Sequence, residues 1–283
     1  MSVILHMECI DFPQTAWRLI VEKTPQPGVY NMAADEALLR SAADGKSLPT
    51  LRFYQWLDPT LTLGRGQPAT DVDFNAVYAE NLTVLRRMTG GTAVLNDDVI
   101  SYSVTAPKTE PRLSGSVAES YRAISLALSN GLSALGISTL EMEVNEPEKI
   151  RLSCRNRSPV CFEVPSVYEI TVSGKKLVGN SQMRSGGGVL QHGSIYLDGD
   201  IAAISRVLST HPSPHRIRSR TITLRAAVGQ RVAYTTAVNS LIHAFDHVLN
   251  IRLEPGEMQP SERAVIERLV TKKYGTPAWT RRL

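Results

Sequence analysis

The segment from Val84 to Val104, VLRRMTGGTAVLNDDVISYSV, constrains this chain more than any other. Two apolar runs, Val84-Leu85 and Ala93-Val94-Leu95, flank a basic turn from Arg86 to Gly91. A further strand-like run, Ile100 to Val104, follows the acidic pair Asp97-Asp98. The pattern predicts a strand, a tight turn and a strand. Gly90 and Gly91 admit positive φ and let a ligand come close to the backbone. Arg86 and Arg87 offer forks of donors suited to a carboxylate, a phosphate or a polarised carbonyl. A hairpin with arginines on its outer face satisfies the same residues, so the stretch alone leaves both readings open.

Length decides how much core such a segment can join. The 283 residues, 42% of them hydrophobic, suffice for one large core or for one core with a small appended subdomain. With 20% charged residues and no long single-sign block, the chain is expected to fold throughout. The net charge of +4 suits an acidic protein partner. No lysine-rich tract or basic stripe with interleaved aromatics points to nucleic acid. Three cysteines, Cys9, Cys154 and Cys161, are too few for a disulfide framework, and Cys154 and Cys161 lack zinc-ligand spacing, so no metal site is expected. A reduced, cytoplasmic setting follows as the expectation. The N-terminal MSVILHMECIDFPQ has no basic n-region and does not read as a signal peptide, and no segment is long and apolar enough to span a bilayer.

Taken in order, residues 1–16 read as a lead-in and Trp17 to Val21 as a first strand. Asn31 is placed to cap the helix MAADEALLRSAA, with Asp35 and Glu36 in its first turn and Gly45 ending it. Thr50 to Trp56 and Thr60 to Leu63 read as strands, Gly64-Arg65-Gly66 as a flexible loop, and Asn75 to Glu80 as a short helix. Val117 to Leu135 is the longest helical pattern. Glu143 to Ser158 is polar and aperiodic, an expected exposed loop. Tyr168 to Val172 and Lys176 to Val178 flank a Ser173-Gly174 turn. A glycine loop, Ser185 to Gly188, precedes the strand Val189 to Leu197. Helices are expected at Ile201–Leu208, Thr235–Asn250 and Glu262–Tyr274, with His211 to Arg218 broken by proline. Strands and helices alternate without βαβ regularity, so the expected class is α+β in a single domain: a catalytic domain over 17–250 and a C-terminal helical extension, 251–283, packed on it.

Cys161 lies between Pro159 and Pro165 at the exit of the polar loop, where it reads either as an inert core thiol or as one lining a cleft. Lys176, just after a turn, is either solvated or, if its strand lines a cleft, a donor to a carbonyl oxygen. His192, beside Gly193, is a core imidazole, a ligand donor or a general base. Neither glycine loop has the surroundings of a nucleotide motif.

Together these segments resemble the Cys-dependent octanoyltransferases of the LipM type within the biotin/lipoate protein ligase superfamily. The resemblance rests on NMAADEALL (Asn31 to Leu39), LRFYQW (Leu51 to Trp56), RRMTGGTAVLNDD (Arg86 to Asp98), SPVCFEVPSVYEI (Ser158 to Ile170), GKKLVGNSQMR (Gly174 to Arg184), GGVLQHGSIYLD (Gly187 to Asp198) and KKYGTPAW (Lys272 to Trp279). It implies that superfamily's catalytic-domain fold, with mixed and antiparallel sheets flanked by helices. It implies transfer of octanoyl from acyl carrier protein through a cysteine thioester to a lysine of a lipoyl domain, typically the glycine cleavage H protein, without a cofactor. Carried over by position, Cys161 is the acyl acceptor and Lys176 the lysine that contacts the acyl carbonyl. Arg87, Thr89, Gly90, Gly91, Ala93, His192 and Gly193 would line the substrate pocket. The family usually reads His-Asp after the TGG strand. Here Asn96-Asp97 stands, and Asn96 cannot carry a proton near neutral pH.

Three other readings fit the same fold. An ATP-dependent lipoate–protein ligase would leave Cys161 without a role, and the end of the chain soon after Trp279 leaves little length for the accessory domain such enzymes commonly carry. An octanoyl amidotransferase would take its acyl group from the H protein. A carrier-binding homologue would not catalyse at all.

Overall fold

The computed structural model describes residues 12–145, 158–163 and 168–283. Six strands form the main sheet, in the order β10-β11-β6-β2-β1-β12. They are β1 (Thr15–Val21), β2 (Thr50–Tyr54), β6 (Val99–Pro107), β10 (Val178–Ser185), β11 (Gly188–Tyr196) and β12 (Ile251–Pro255). The β10, β11, β6 and β2 pairings are antiparallel, whereas β1 runs parallel to both β2 and β12. The sheet is therefore mixed, as expected. Residues 251–283 contribute strand β12 to it before their helices begin.

Alternation along β6 decides what each face of the sheet can hold. Ile100, Tyr102, Val104 and Ala106 point into the largest core cluster. Opposite them lie two helices, α3 (Val117–Ser133) and Tyr234–Val248, which supply Ile124, Leu128, Leu241 and Phe245. The alternate residues, Ser101, Ser103 and Thr105, are buried too. A buried face of hydroxyls needs polar company, because an unmatched buried polar group costs about 1–3 kcal/mol. Helix α1 (Gly28–Ala43) covers that face and brings Asp35 to Ser103. Ser101 pairs with Trp56 and Ser194, while the Thr105 hydroxyl has no hydrogen-bond partner among the described residues. The helix's Asn31 and Asp35 are buried on that side, and its Ala34 and Leu38 pack with the C-terminal helix Pro260–Leu269.

Helix α1 begins three residues before Asn31. Pro27 precedes its first turn, and Asn31 lies inside the helix with its side chain donating to Gln55 O at 3.1 Å. Asp35 and Glu36 accordingly sit past the first turn and are buried by partners, not exposed to the helix dipole. Adjacent in sequence, they face different neighbours: Asp35 meets the sheet, and Glu36 accepts from Lys273 at 2.6 Å and Tyr274 at 2.5 Å.

A second sheet of three strands carries the basic bend. Its order is β4 (Thr83–Arg86), β3 (Thr60–Leu63), β5 (Val94–Asn96). Strand β4 runs parallel to β3 and β5 antiparallel to it, so the bend does not close a hairpin; β3 lies between its two arms. The hairpin expected at Ser173-Gly174 forms between β8 (Tyr168–Val172) and β9 (Lys175–Lys176). Strand β7 (Leu140–Val144) pairs with β8 and takes the first residues of the stretch read as a loop, of which 146–157 lie outside the described residues. Cys9, Cys154 and Pro165 also lie outside them. Two shorter expectations fail. Ile201–Leu208 holds only a 3-10 turn, Ala203–Arg206. The Pro-rich His211–Arg218 contains a helix, Pro214–Arg220, because Pro214 takes its first position and Ser213 caps it.

Candidate active site

Register on the main sheet aligns the polar face in rows. Arg52 of β2 sits beside Ser103 of β6, which sits beside His192 of β11, which sits beside Ser181 of β10. One residue-pair along, Tyr54, Ser101, Ser194 and Gly179 form the neighbouring row. These rows form one wall of a pocket; the small sheet and the Cys161 turn form the other.

In the first row, His192 Nδ1 lies 2.8 Å from Asp35 Oδ2, and Nε2 lies 2.7 Å from Thr89 Oγ1. Asp35 also accepts from Arg52 at 3.1 Å and from Tyr54 Oη at 3.2 Å. Burial alone would raise the Asp35 carboxyl. The hydrogen bond and charge of His192, with the Arg52 guanidinium, outweigh it and hold the carboxyl below its usual range. Asp35 therefore stays ionised and takes the Nδ1 proton, which leaves Nε2 to accept the Thr89 hydroxyl when the ring is neutral.

The second row continues as a directed chain. Trp56 Nε1 donates to Ser101 Oγ at 2.8 Å, Ser101 and Ser194 share a bond of 3.2 Å, and Ser194 Oγ donates to Asn96 Oδ1 at 2.8 Å. Asn96 Nδ2 passes the direction on to Thr60 O and Thr62 Oγ1. Asn96, which stands where the family usually has His, thus accepts and donates at once within this chain.

The arginine–glycine bend differs from expectation. Arg86 and Arg87 are buried and spend their donors on backbone carbonyls. Arg86 binds Thr280 O, Gly64 O and Gln67 O. Arg87 binds Thr62 O at 3.0 Å, Gly90 O at 2.7 Å and Thr92 O at 2.8 Å. They staple the bend; they do not reach out as ligand clamps. Among the described residues no carboxylate pairs with either. Burial lowers the Arg87 guanidinium, and the negative charge available at Cys161 opposes that shift.

Gly91 turns at φ +83°, a region L side chains rarely adopt. A Cβ there would lie 2.9 Å from Arg87 Nη2, 3.9 Å from Cys161 Sγ and 4.0 Å from Ser181 Oγ. Thiol, guanidinium and hydroxyl therefore converge over one bare glycine. Across the bend, Gly64 leaves still less room: a Cβ on it would come within 1.8 Å of Gly91 O. The Gly64-Arg65-Gly66 stretch is packed against the bend at that residue.

Cys161 opens a 3-10 turn, Cys161–Glu163, and is buried. Its amide donates to Ala93 O at 2.9 Å, and the Ala93 amide donates to Pro159 O at 2.8 Å, so the turn docks onto the strand leaving the bend. The phenols of Tyr121 and Tyr196 are raised by burial first and by the Cys161 charge second. Lys176 Nζ lies 2.7 Å from Glu169 Oε1 and 3.5 Å from Cys161 O. It stands behind the cysteine, against its backbone.

Of the residues expected at the site, Cys161, Arg87, His192 and Gly193 line the pocket. Thr89, Gly90, Gly91, Ala93 and Lys176 support it from just outside: Thr89 through His192, Gly90 and Gly91 through the bend, Ala93 and Lys176 through the Cys161 backbone. Asp35 and Ser181 are absent from the sequence-based set, and Asn96 enters it only as the departure from His. Only Asp35 carried a usable signal, an acid inside an otherwise apolar helical stripe. Among the described residues no helix is long and apolar enough to cross a membrane.

A buried thiol beside an arginine-stapled glycine turn and a carboxylate-held imidazole line one pocket, an arrangement suited to group transfer, and the relatives place the chain in the class of acyltransferases. The model for the lipoyl protein ligase A/B catalytic domain matches residues 27–246, and the chain belongs to that family. It is 41% identical over 275 residues to the octanoyltransferase LipM of Kyrpidia tusciae, covering 94% of this chain and 98% of that one. It is 36% identical over 273 residues to the octanoyltransferase LipM of Bacillus subtilis, covering 93% and 97%. Among solved structures, a lipoate-protein ligase A bound with ATP superposes with a TM-score of 0.78 at 25% identity, covering 94% of this chain and 99% of that one.

Proposed function

We propose that this protein transfers octanoyl from acyl carrier protein to a lysine of a lipoyl domain, with the glycine cleavage H protein as the acceptor, through a thioester on Cys161. The observation that carries this reading is the convergence of Cys161 Sγ, Arg87 and Ser181 over Gly91. A carrier thioester laid over that glycine meets the thiolate. The new sulfur–carbonyl bond forms, the carbonyl becomes an oxyanion, and the carrier sulfur leaves with the electron pair and takes a proton. Exposed backbone at Gly90 and Gly91, with Gly90 O held by the Ser181 hydroxyl, supplies the donors where that oxyanion develops. In the second step an acceptor lysine, as the neutral amine, attacks the acyl-enzyme. An amide forms, the Cys161 thiolate leaves, and the amine proton departs. His192, oriented by Asp35 through Nδ1 and bonded to Thr89 through Nε2, lines the pocket as the base to take it.

Arg87 gives the Cys161 thiolate a counter-charge. Lys176 acts through the Cys161 carbonyl and fixes the turn, with Glu169 holding it. The names of the LipM relatives support octanoyl as the acyl group. The chain's apolar pocket residues, Met32, Tyr54, Trp56 and Val94, would bury its tail at about 0.8 kcal/mol per methylene. The thioester is already activated, so the reaction needs no ATP. The test is intact mass after mixing with octanoyl-acyl carrier protein. An octanoyl adduct on the protein is expected, absent in Cys161→Ala and discharged by apo-H protein. Full turnover by Cys161→Ala, or modification that requires ATP and free octanoate, would overturn the reading.

A further inference from the structure

The arginines of this protein divide into two populations. Many are paired, among them Arg18 with Glu262, Arg52 with Asp35 and Glu22, Arg112 with Glu110, Arg206 with Glu80, and Arg225 with Asp198. Five around the bend are not. Among the described residues, Arg65, Arg86, Arg87, Arg281 and Arg282 form no ion pair. Arg86 and Arg87 lie inside, on carbonyls. Arg65, Arg281 and Arg282 are exposed. Short contacts hold them as one group. The Arg65 amide donates to Thr89 O at 2.8 Å, its carbonyl accepts from Arg282 Nη2 at 2.7 Å, and Arg86 donates to the same carbonyl at 3.4 Å. Arg282 stacks on Trp279 at 4.2 Å and Arg281 on Phe74 at 4.3 Å. The nearest carboxylate on this loop, Asp71, is engaged by Gln67 Nε2 at 3.0 Å. Burial lowers the Arg86 guanidinium, and the charges of Arg282 and Arg87 lower it further, as like charges crowded together must.

Through Arg65 the cluster also reaches toward the pocket. Arg65 reaches across to Met183 Sδ on β10 at 3.9 Å. Two residues earlier on that strand, Ser181 donates to Gly90 O at 3.0 Å beside the Cys161 thiol. Like charges held together, with no ion pair among the described residues, cost stability unless an anionic partner visits.

We propose that Arg65, Arg281 and Arg282 form the docking surface for the acyl donor, an acidic carrier protein whose thioester arm hangs from a phosphodiester. The arm crosses Arg65 into the pocket, and the carrier's acidic face rests on Arg281 and Arg282. This rests on the proposed donor, but binding tests it apart from the chemistry.

The test uses two measurements on the full chain. First, affinity for octanoyl-acyl carrier protein is read on Cys161→Ala protein, which cannot turn over, with Arg65→Ala and Arg282→Ala added singly and together. The double variant is expected to bind about tenfold more weakly, with a flatter salt dependence. Lysine at both positions is expected to restore most of the affinity, which a purely structural role of Arg282 would not allow. Second, acylation of Cys161 is compared between octanoyl-acyl carrier protein and octanoyl-pantetheine, which has neither protein nor phosphate. The ratio of the two rates is expected to fall about tenfold in the double variant. An unchanged affinity and ratio in a variant with an intact melting temperature overturns the proposal. A defect confined to transfer onto the lipoyl domain also overturns it, because the cluster then docks the acceptor. Should wild-type protein take no acyl group from any thioester, the transferase reading fails, while weakened carrier binding by the arginine variants still upholds this surface.

Discussion

The amide of Cys161 and the carbonyl of Ala93 are joined by a hydrogen bond of 2.9 Å, and this bond brings the thiol to the glycine bend. The two residues are far apart in sequence and belong to different elements. The bond fixes where the sulfur stands relative to Gly91. Several expectations follow from how that position is built.

Alanine at Gly91 would strain the backbone at φ +83° and place a methyl 2.9 Å from Arg87 Nη2. A left-handed non-glycine residue costs about 1–2 kcal/mol. A matching loss in denaturant unfolding is expected, together with a larger loss in the rate of Cys161 acylation, because the methyl occupies the meeting point of thiol and guanidinium. Stability lost with acylation intact would separate the bend from the chemistry.

Lys176→Ala is expected to destabilise the fold, because it strands the nearly buried Glu169 carboxylate. Breaking a buried pair from one side costs about 3–5 kcal/mol, and this partly shielded pair should fall at the low end. Adding Glu169→Gln should return part of that loss without returning acylation. A double-mutant cycle in unfolding free energy checks it, and a double variant no more stable than Lys176→Ala would refute the pairing.

The acid limb of stability should report Asp35. Its carboxyl is lowered from 3.8 in the folded protein, so the unfolded chain binds the proton more readily. A depressed carboxyl contributes stability that is full above the unfolded value and is lost as pH falls through the folded one. Unfolding free energy should therefore decline below about pH 4, and Asp35→Asn should flatten that decline while lowering stability at pH 7. Glu36, also lowered despite its burial, by Lys273, Tyr274 and Arg40, adds to the same limb.

Asn96→Ala removes the acceptor of Ser194 and the donor to Thr62. Leaving such partners unsatisfied costs about 1–3 kcal/mol. Since Asn96 does not titrate, the pH profile of acylation should keep its shape in this variant while stability falls. A shifted profile would assign position 96 a part in proton transfer.

The class of fold and most elements were readable from periodicity and turn residues, because each long helix and strand carries its own pattern. Val117–Ser133 and Tyr234–Val248 show apolar faces that hold regardless of partners. The cap assigned to Asn31 failed because Pro27-Gly28 starts the helix earlier and because tertiary partners, not the helix end, claim Asn31. Local spacing leaves the hairpin open at the bend for a similar reason: pairing through β3 is a long-range fact invisible in it. Cys161 could be singled out by its prolines and by resemblance. What the chain could not reveal alone was that Arg87 faces inward and Lys176 stands behind the cysteine. Both depend on which carbonyls and carboxylates the finished fold brings near.

The guanidinium of Arg86 donates twice to the carbonyl of Thr280, 194 residues downstream, at 3.0 and 2.8 Å. A nascent chain on the ribosome lacks that acceptor until residue 280 has emerged. The bend that seats the thiol can therefore lock only after that point, and a product cut short before it would carry Cys161 beside an unfastened loop.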